Sequence, residues 1–480
     1  MKWFGKIGRR IRAAIHRTFR ALFRLSRRWP ENVRSLVVSL LLGLAVMTLI
    51  AVMRDSPWVQ HAENVGLDWV FARYRGSAPI RPDTAVPFAF FEIDEKSFRA
   101  WGEPLYTPRD KLASMIRYAR NNGAAVVVVD VALEIAANDV MDLALRQELE
   151  NFALLGSPSH LVLLRGVRRA EDDAQTLPER KTAFIDDIVM RSHGHIHLAT
   201  AAISLGDDGK VRNSSAWEPV CRNDLPTPQV QALPSAPLLV AALLNDRLSS
   251  LDAALGRLLP TSCNAAMPRA PAVRWVVSKD VFVNLDATRR ASRIFYTIPW
   301  QLRPQEARPT VKLGAESVPL LIRIPAERIV SQPALAEDLH GYVVVIGASH
   351  ADSRDLYMTP LGEMPGALIL INAMHTLLQV GELRPLNLWL SAVIQIAFII
   401  VMSLTFQRWN SFLGAAAVLA VIVLGIMPLS LWGLRSGMWL DFVAPLLAVQ
   451  VFQIVKTVQG GLDSKATEVR KRRRIQRRTK

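Results

Sequence analysis

Three stretches without a single charge, and a fourth with one, restrict what this chain can become. Residues 35–53 read SLVVSLLLGLAVMTLIAVM, 19 residues with no ionisable side chain. As a helix that length crosses a hydrocarbon core of ~30 Å. Residues 388–406, 411–432 and 438–455 repeat the pattern near the other end, separated by the short polar turns 407–410 and 433–437. Asp441 is the one charge among them; it falls near an outer end, where a carboxylate stays hydrated, and takes no role. Lipid offers the backbone no hydrogen bonds, so each stretch is expected as a helix.

The net charge of +16 acquires meaning once it is located. Residues 1–34 carry +10, residues 456–480 carry +8, and residues 55–387 carry −4. Basic ends beside apolar spans, with an acidic middle, are the distribution the positive-inside rule produces. Four crossings then leave both termini cytoplasmic and turn residues 55–387 outward. Nucleic-acid binding would also use basic tails, but the spans beside them favour the membrane, and no nucleic-acid partner is expected.

These features divide the chain. Residues 1–34 place Phe4, Ile7, Ile11, Ile15, Phe19, Leu22 and Phe23 at helical spacing among arginines. That suits a helix on the cytoplasmic leaflet; a disordered basic extension is the alternative. Residues 35–53 compete between cleaved signal peptide and signal anchor. The long apolar run, and Arg54-Asp55-Ser56-Pro57 with no small-x-small site before them, favour the uncleaved anchor. Residues 55–387 form the outward domain, residues 388–455 three further spans, and residues 456–480, ending VRKRRRIQRRTK, a polybasic surface tail.

Residues 88–134 organise the outward domain. The apolar runs at 88–93 and 124–131 end in Asp94-Glu95 and Asp130, and between them Leu112, Met115, Ile116 and Ala119 recur at helical spacing. That is strand, helix, strand, expected as adjacent parallel strands with a right-handed crossover. A helix is expected at 140–154 and a third strand at 161–164. Further strands are expected over 193–203, 281–285 and 294–297, a broken helix at 236–259, an irregular segment at 226–237, a late strand at 342–346 and a helix at 366–380. The fold class expected is α/β, an extracytoplasmic domain with a mixed, partly parallel sheet, plus four transmembrane helices.

Open α/β sheets hold ligands at the carboxyl ends of their strands. Asp94 and Asp130 fall there, Asp355 follows the strand expected at 342–346, and Arg109 opens the helix between the first two. These four are the candidate ligand-binding residues; caps and arginine pairs would account for the acids equally. His193, His195 and His197 alternate in the run HGHIH, so a strand would present three imidazoles on one face, a candidate metal set. Ligands ~7 Å apart along one strand converge poorly on one ion, and a polar exposed face is the competing reading. Cys221 and Cys263 both lie in the outward part, where an oxidising compartment favours a disulfide stabilising the fold by roughly 3–4 kcal/mol; two free thiols are the alternative. Ser97, Ser349 and His350 lie in no nucleophile-elbow pattern. No enzyme and no cofactor is expected.

Several pieces in order carry a resemblance. They are Asp68 with Arg73, Arg75 and Gly76; residues 91–97 (FEIDEKS), Gly102 and Pro108-Arg109; Gly123-Ala124 leading to Val129-Asp130; and Gly347-Ala348-Ser349 through Asp355 and residues 359–362 to Pro365-Gly366. Residues 207–212 (DDGKVR) match more weakly. Over residues 66–383 the chain resembles the CHASE type 2 family (cyclases/histidine kinases associated sensory extracellular). The resemblance implies a sensor in a bacterial inner membrane, usually coupled to a cyclase or kinase. Here residues 456–480 hold only the basic tail, so a separate cytoplasmic signalling protein is the expected partner. A His-Ala-Asn run often found in the family is Leu370-Ile371-Asn372 here, without its histidine. The reading is a sensory module for an unknown small-molecule or protein stimulus, with the lipid bilayer as partner and a homodimer left open. An envelope scaffold that senses nothing is the main rival, and a periplasmic enzyme the lesser one.

Overall fold

A computed structural model describes residues 56–387, apart from 137–138, 155–158, 170–176, 193, 288–290, 305, 307 and 335–336, together with Thr48 and scattered residues between 389 and 439. Two units divide the chain: Asp68–Arg384 with Arg435–Gly437, and Met1–Leu67 with Pro385–Leu434 and Met438–Lys480. In the second, a helix at Met427–Arg435 is described. No helix among the described residues is long and apolar enough to cross a membrane. The expected spans at 35–53, 411–432 and 438–455 lie largely outside the described residues, that at 388–406 about half so, and both basic ends lie wholly outside them.

Residues 68–384 are built on a six-stranded parallel sheet. Its strands are β1 (Phe88–Ile93), β2 (Val126–Asp130), β3 (His160–Leu164), β4 (Ile196–Ala199), β5 (Leu321–Pro325) and β6 (Val343–Ala348). The spatial order is β5-β1-β6-β2-β3-β4. Strands of a parallel sheet are covered on both faces, which is why β1, β2 and β6 are dominated by apolar residues. Around this sheet lie small, separate, mainly antiparallel sheets, so the fold is mixed α/β with a parallel centre.

The order corrects one expectation. β1 and β2 are not neighbours: β6 lies between them, with Phe88 opposite Val343 and Val343 opposite Val126. More than 200 residues separate β6 from either partner in the chain, so periodicity near β1 carried no sign of it.

Alternation along the strands makes two cores. Ala89, Phe91, Val127, Val129, Val344 and Ile346 face one side, against α2 (Arg109–Asn121) and α3 (Asp139–Leu154), which follow the short α1 (Glu95–Ala100). Phe88, Phe90, Val126, Val128, Val343 and Val345 face the other, against α4 (Ala236–Leu244) and α5 (Gly366–Val380). Each fully buried Val, Leu, Ile or Phe contributes ~1.5–3 kcal/mol, so this three-layer centre is the fold's main stabilising term.

Polar groups inside α5 reshape a neighbouring segment. Asn372 is fully buried; its Oδ1 accepts from Thr297 N (3.1 Å) and Ile298 N (3.0 Å), and its Nδ2 donates to the Ile298 and Leu368 carbonyls (3.0 Å each). One turn on, Thr376 Oγ1 accepts from Phe295 N at 2.9 Å. A strand was expected at 294–297, but those backbone groups bond to helix side chains and the segment is not a strand. The irregular reading of 226–237 is also corrected. Gln229–Pro234 is a strand paired with Trp217–Arg222, at the edge of its sheet, where proline is tolerated.

Candidate functional site

A cleft of about 490 Å³ opens at the carboxyl ends of β1, β6 and β2. Ile93 and Ala348 come from strand ends, Phe98 and Trp101 from α1 and its C-cap, residues 103–108 from the loop before α2, and Asp130, His350 and Asp355 from strand-end positions and loops. Arg109, Asp130 and Asp355 therefore line one cavity.

Asp94 does not line it. The Asp94 carboxylate caps α1, accepting from Ser97 N at 2.8 Å and Ser97 Oγ at 2.7 Å. It borders a second cleft, with Glu92, Trp300 and Arg323. There Glu92, 4% exposed, is matched by Arg323 Nη2 at 2.6 Å and Nε at 2.8 Å, with Ser349 Oγ donating at 2.7 Å. A carboxylate so completely paired is a structural member.

Asp130 and Asp355 differ from Glu92. Burial, and then the charge of Asp355, push the Asp130 carboxyl up to about 8. Burial raises Asp355 to about 6, opposed by hydrogen bonds from the Tyr357 phenol and the Gly366 backbone N–H. Near neutral pH the pair therefore holds about one proton, because two ionised carboxylates in a poorly hydrated floor repel.

Two glycines set this floor. A Cβ on Gly366 would lie 2.4 Å from Asp355 Oδ1, and one on Gly347 would lie 2.5 Å from the Ala367 Cβ. Their bare backbones let the N-terminus of α5 press onto the end of β6 and against Asp355. Asp355 itself is held by a loop begun with a 3-10 turn at Ala351–Ser353 and completed by Arg354 at φ 55°. Ser353 Oγ donates to the His350 carbonyl at 2.6 Å and accepts from Asp355 N at 3.2 Å.

Arg109 is 1% exposed. Its Nη2 donates to the Ala132 carbonyl at 2.8 Å and the Ile135 carbonyl at 3.3 Å, fixing the loop that follows Asp130. Its Nε stands 4.0 Å from Asp142 Oδ1, beyond hydrogen-bond reach, and Nη1 has no hydrogen-bond partner among the described residues. Burial lowers its pKa, against Asp142 and Glu134, which raise it. His350 lies flat on Phe98, ring centroids 4.0 Å apart and planes 9° from parallel. Burial lowers the His350 pKa, so the ring is neutral near pH 7, and its Nδ1 has no hydrogen-bond partner among the described residues.

Of the histidine run, His195 and His197 both stand beside His160, with ring centroids 6.3 and 5.4 Å away. His193 lies outside the described residues, His195 precedes β4, and His197 is on it. His197 Nε2 stands 3.3 Å from Nδ1 of His160 on the neighbouring strand. Burial first, then His160 and His195, depress His197 to about 4, so this is a neutral imidazole contact. Among the described residues no group of three His, Cys, Asp or Glu is placed to hold a metal ion. Cys221 and Cys263 are joined in a disulfide with Cα atoms 5.5 Å apart.

Sequence reasoning passed over Tyr357, on the short strand Leu356–Thr359, whose phenol donates to Asp355. It also gave no role to Arg212, 3% exposed, whose Nη2 donates to Asp208 at 2.6 Å and to Asp68 at 2.8 Å. That pairing holds the Asp208 carboxyl well below the usual carboxylate range. Asp68 lies on the helix Pro57–Tyr74, so Arg212 fastens the C-terminal turns of that helix to the α/β body.

Comparison with known proteins gives one result. The CHASE2 domain family model matches residues 14–406. No curated protein and no solved structure matches the chain.

Proposed function

The chain belongs to the CHASE2 domain family, whose members are sensory extracellular domains, and from that premise we propose that it is a membrane-bound sensor that receives its stimulus in the cleft floored by Asp130 and Asp355. The domain faces outward from a bacterial inner membrane on four crossings with both termini cytoplasmic, a topology supported by the charges of +10 and +8 at the ends. It catalyses nothing. Its output passes through the membrane helices to a separate cytoplasmic protein.

One observation carries this reading. Asp130 and Asp355 are two carboxyls in a poorly hydrated floor, both with raised pKa, at the carboxyl edge of a parallel sheet, in a cavity of small-ligand size. A structural acid would be satisfied by an arginine or a helix cap, as Glu92 is by Arg323 and Asp94 by Ser97.

A small-molecule thermal-shift screen on the purified full chain in detergent tests it. The expected result is at least one compound that raises Tm in the wild type and not in Asp130→Asn. If no compound shifts Tm, and Asp130→Asn captures the same envelope proteins as the wild type, the chain is a scaffold and the proposal fails.

A further inference from the structure

The cleft's charges and walls narrow what it can hold. Glu103, Asp130, Asp352 and Asp355 line it, and Arg109 is the basic residue among its walls. Arg109 already donates to the carbonyls of Ala132 and Ile135, so its charge is partly engaged. The balance facing the cavity is negative.

Hydrogen bonding points the same way. Asp130 ends β2, and Asp355 reaches the same floor from the loop after β6. His350 lines the cavity too. It is 9% exposed, and its Nδ1 is buried without a hydrogen-bond partner among the described residues. A neutral imidazole can accept one hydrogen bond, and each carboxyl can accept more. The floor and wall thus present acceptors from three residues. Trp101 and Tyr106 supply the aromatic surface that favours an organic cation. A volume of about 490 Å³ suits a small molecule rather than a single ion.

We infer that this cleft takes the ammonium group of a small organic amine, with Asp130, Asp355 and His350 as its acceptors. An ammonium has three donors to meet them. The inference rests on the sensor reading above and names the ligand class of that site. Two sources share the chemistry, a simple polyamine and an amino acid. In an amino acid, the carboxylate would turn toward Arg109, whose Nη1 has no hydrogen-bond partner among the described residues.

Binding has a proton balance. The floor holds about one proton near neutral pH, and an ammonium ion favours the doubly ionised pair. That proton leaves to solvent, so affinity rises with pH between about 6 and 8, by at most about tenfold per unit. Glu103, Asp352, Tyr357, Arg109 and His350 also face the pair. Burial lowers the His350 pKa, which favours its neutral form, and Arg109 stays charged.

Calorimetry on the full chain in detergent tests the inference, with 1,4-diaminobutane, L-alanine, succinate and glucose as probes at pH 6 and pH 8. The expected result is binding of 1,4-diaminobutane or L-alanine, at least tenfold tighter at pH 8, with about one proton released. Asp355→Asn should weaken it at least tenfold and Asp94→Asn should not. Diaminobutane binding alone assigns the polyamine source; alanine binding weakened by Arg109→Lys assigns the amino acid. Tyr357→Phe, which keeps the acid but removes its hydrogen bond, should shift the pH dependence upward, and serves if Asp355→Asn fails to fold. Binding of succinate or glucose that needs Asp355, without binding of either amine, overturns the inference and leaves the sensor reading standing. Binding of no probe also overturns it; the sensor reading then stands or falls on the wider thermal-shift screen.

Discussion

Replacing Asp130 by asparagine should change the pH dependence of stability in a calculable way. The Asp130 carboxyl ionises at about 8 in the folded protein, against about 3.9 in an unfolded chain. The folded state therefore binds the extra proton between those values. A group with a raised folded pKa contributes stability that is fully present below the unfolded pKa and lost as pH rises through the folded one. Over pH 5 to 8 the slope is about 1.4 kcal/mol per unit, or roughly 4 kcal/mol as an upper limit. Water entering the cleft and relaxation of Asp355 reduce this, and a loss of about 2–4 kcal/mol is expected. The carboxamide of the variant has no proton to lose in this range. Asp130→Asn should therefore be close to wild type in stability at pH 5 and more stable at pH 8, while losing ligand response, as expected where a functional site is stabilised by removing its function. Urea unfolding of both proteins at pH 5, 6, 7 and 8 measures the slopes. Parallel slopes, or a variant less stable than wild type at pH 8, would refute the reasoning about the pair.

Gly366→Ala places a Cβ 2.4 Å from Asp355 Oδ1 and should cost about 1–3 kcal/mol by thermal denaturation, whereas Gly256→Ala, with nothing within 4 Å, should be neutral or slightly stabilising. Asn372→Ala leaves the buried Thr297 and Ile298 N–H groups without their acceptor and should cost about 2–4 kcal/mol in urea unfolding. Arg212→Ala leaves Asp68 with Lys210 alone and Asp208 to solvent, and should cost about 1–3 kcal/mol, with faster proteolysis within residues 57–74 as the local readout. Alkaline phosphatase fused at Asp208 should be active, and fused at Asn410 or after Lys480 inactive; activity at the C-terminus would overturn the four-crossing topology.

β1, β2 and β6 were legible because they are buried on both faces and carry consecutive Val, Ile or Phe, and β3 as a short Leu-rich run; β5, reading LIRIP, half-exposed and broken by Arg323, was not. The strand order was not legible either, since the β6 pairing bridges more than 200 residues and leaves no local trace. Of the acids at strand ends, Asp130 and Asp355 share a cleft and Asp94 does not. The spacing from Asp94 to Ser97 already suits a helix cap, a role that competes with ligand binding for the same carboxylate. Residues 294–297 have strand composition, yet their backbone bonds are taken by Asn372 and Thr376 from another element. In the histidine run, His195 and His197 both stand beside His160 of the neighbouring strand, a neighbour that spacing within the run could not reveal, and His193 lies outside the described residues.

Central to the sensor reading is that the Asp130–Asp355 cleft, and not the neighbouring one beside Asp94, receives the stimulus. The direct measurement is the dissociation constant of the strongest thermal-shift compound for the full chain and for Asp130→Asn, Asp355→Asn and Asp94→Asn. The prediction is a loss of at least tenfold in the first two variants and less than twofold in the third. Binding that survives both cleft variants, or that is lost in Asp94→Asn alone, would contradict it.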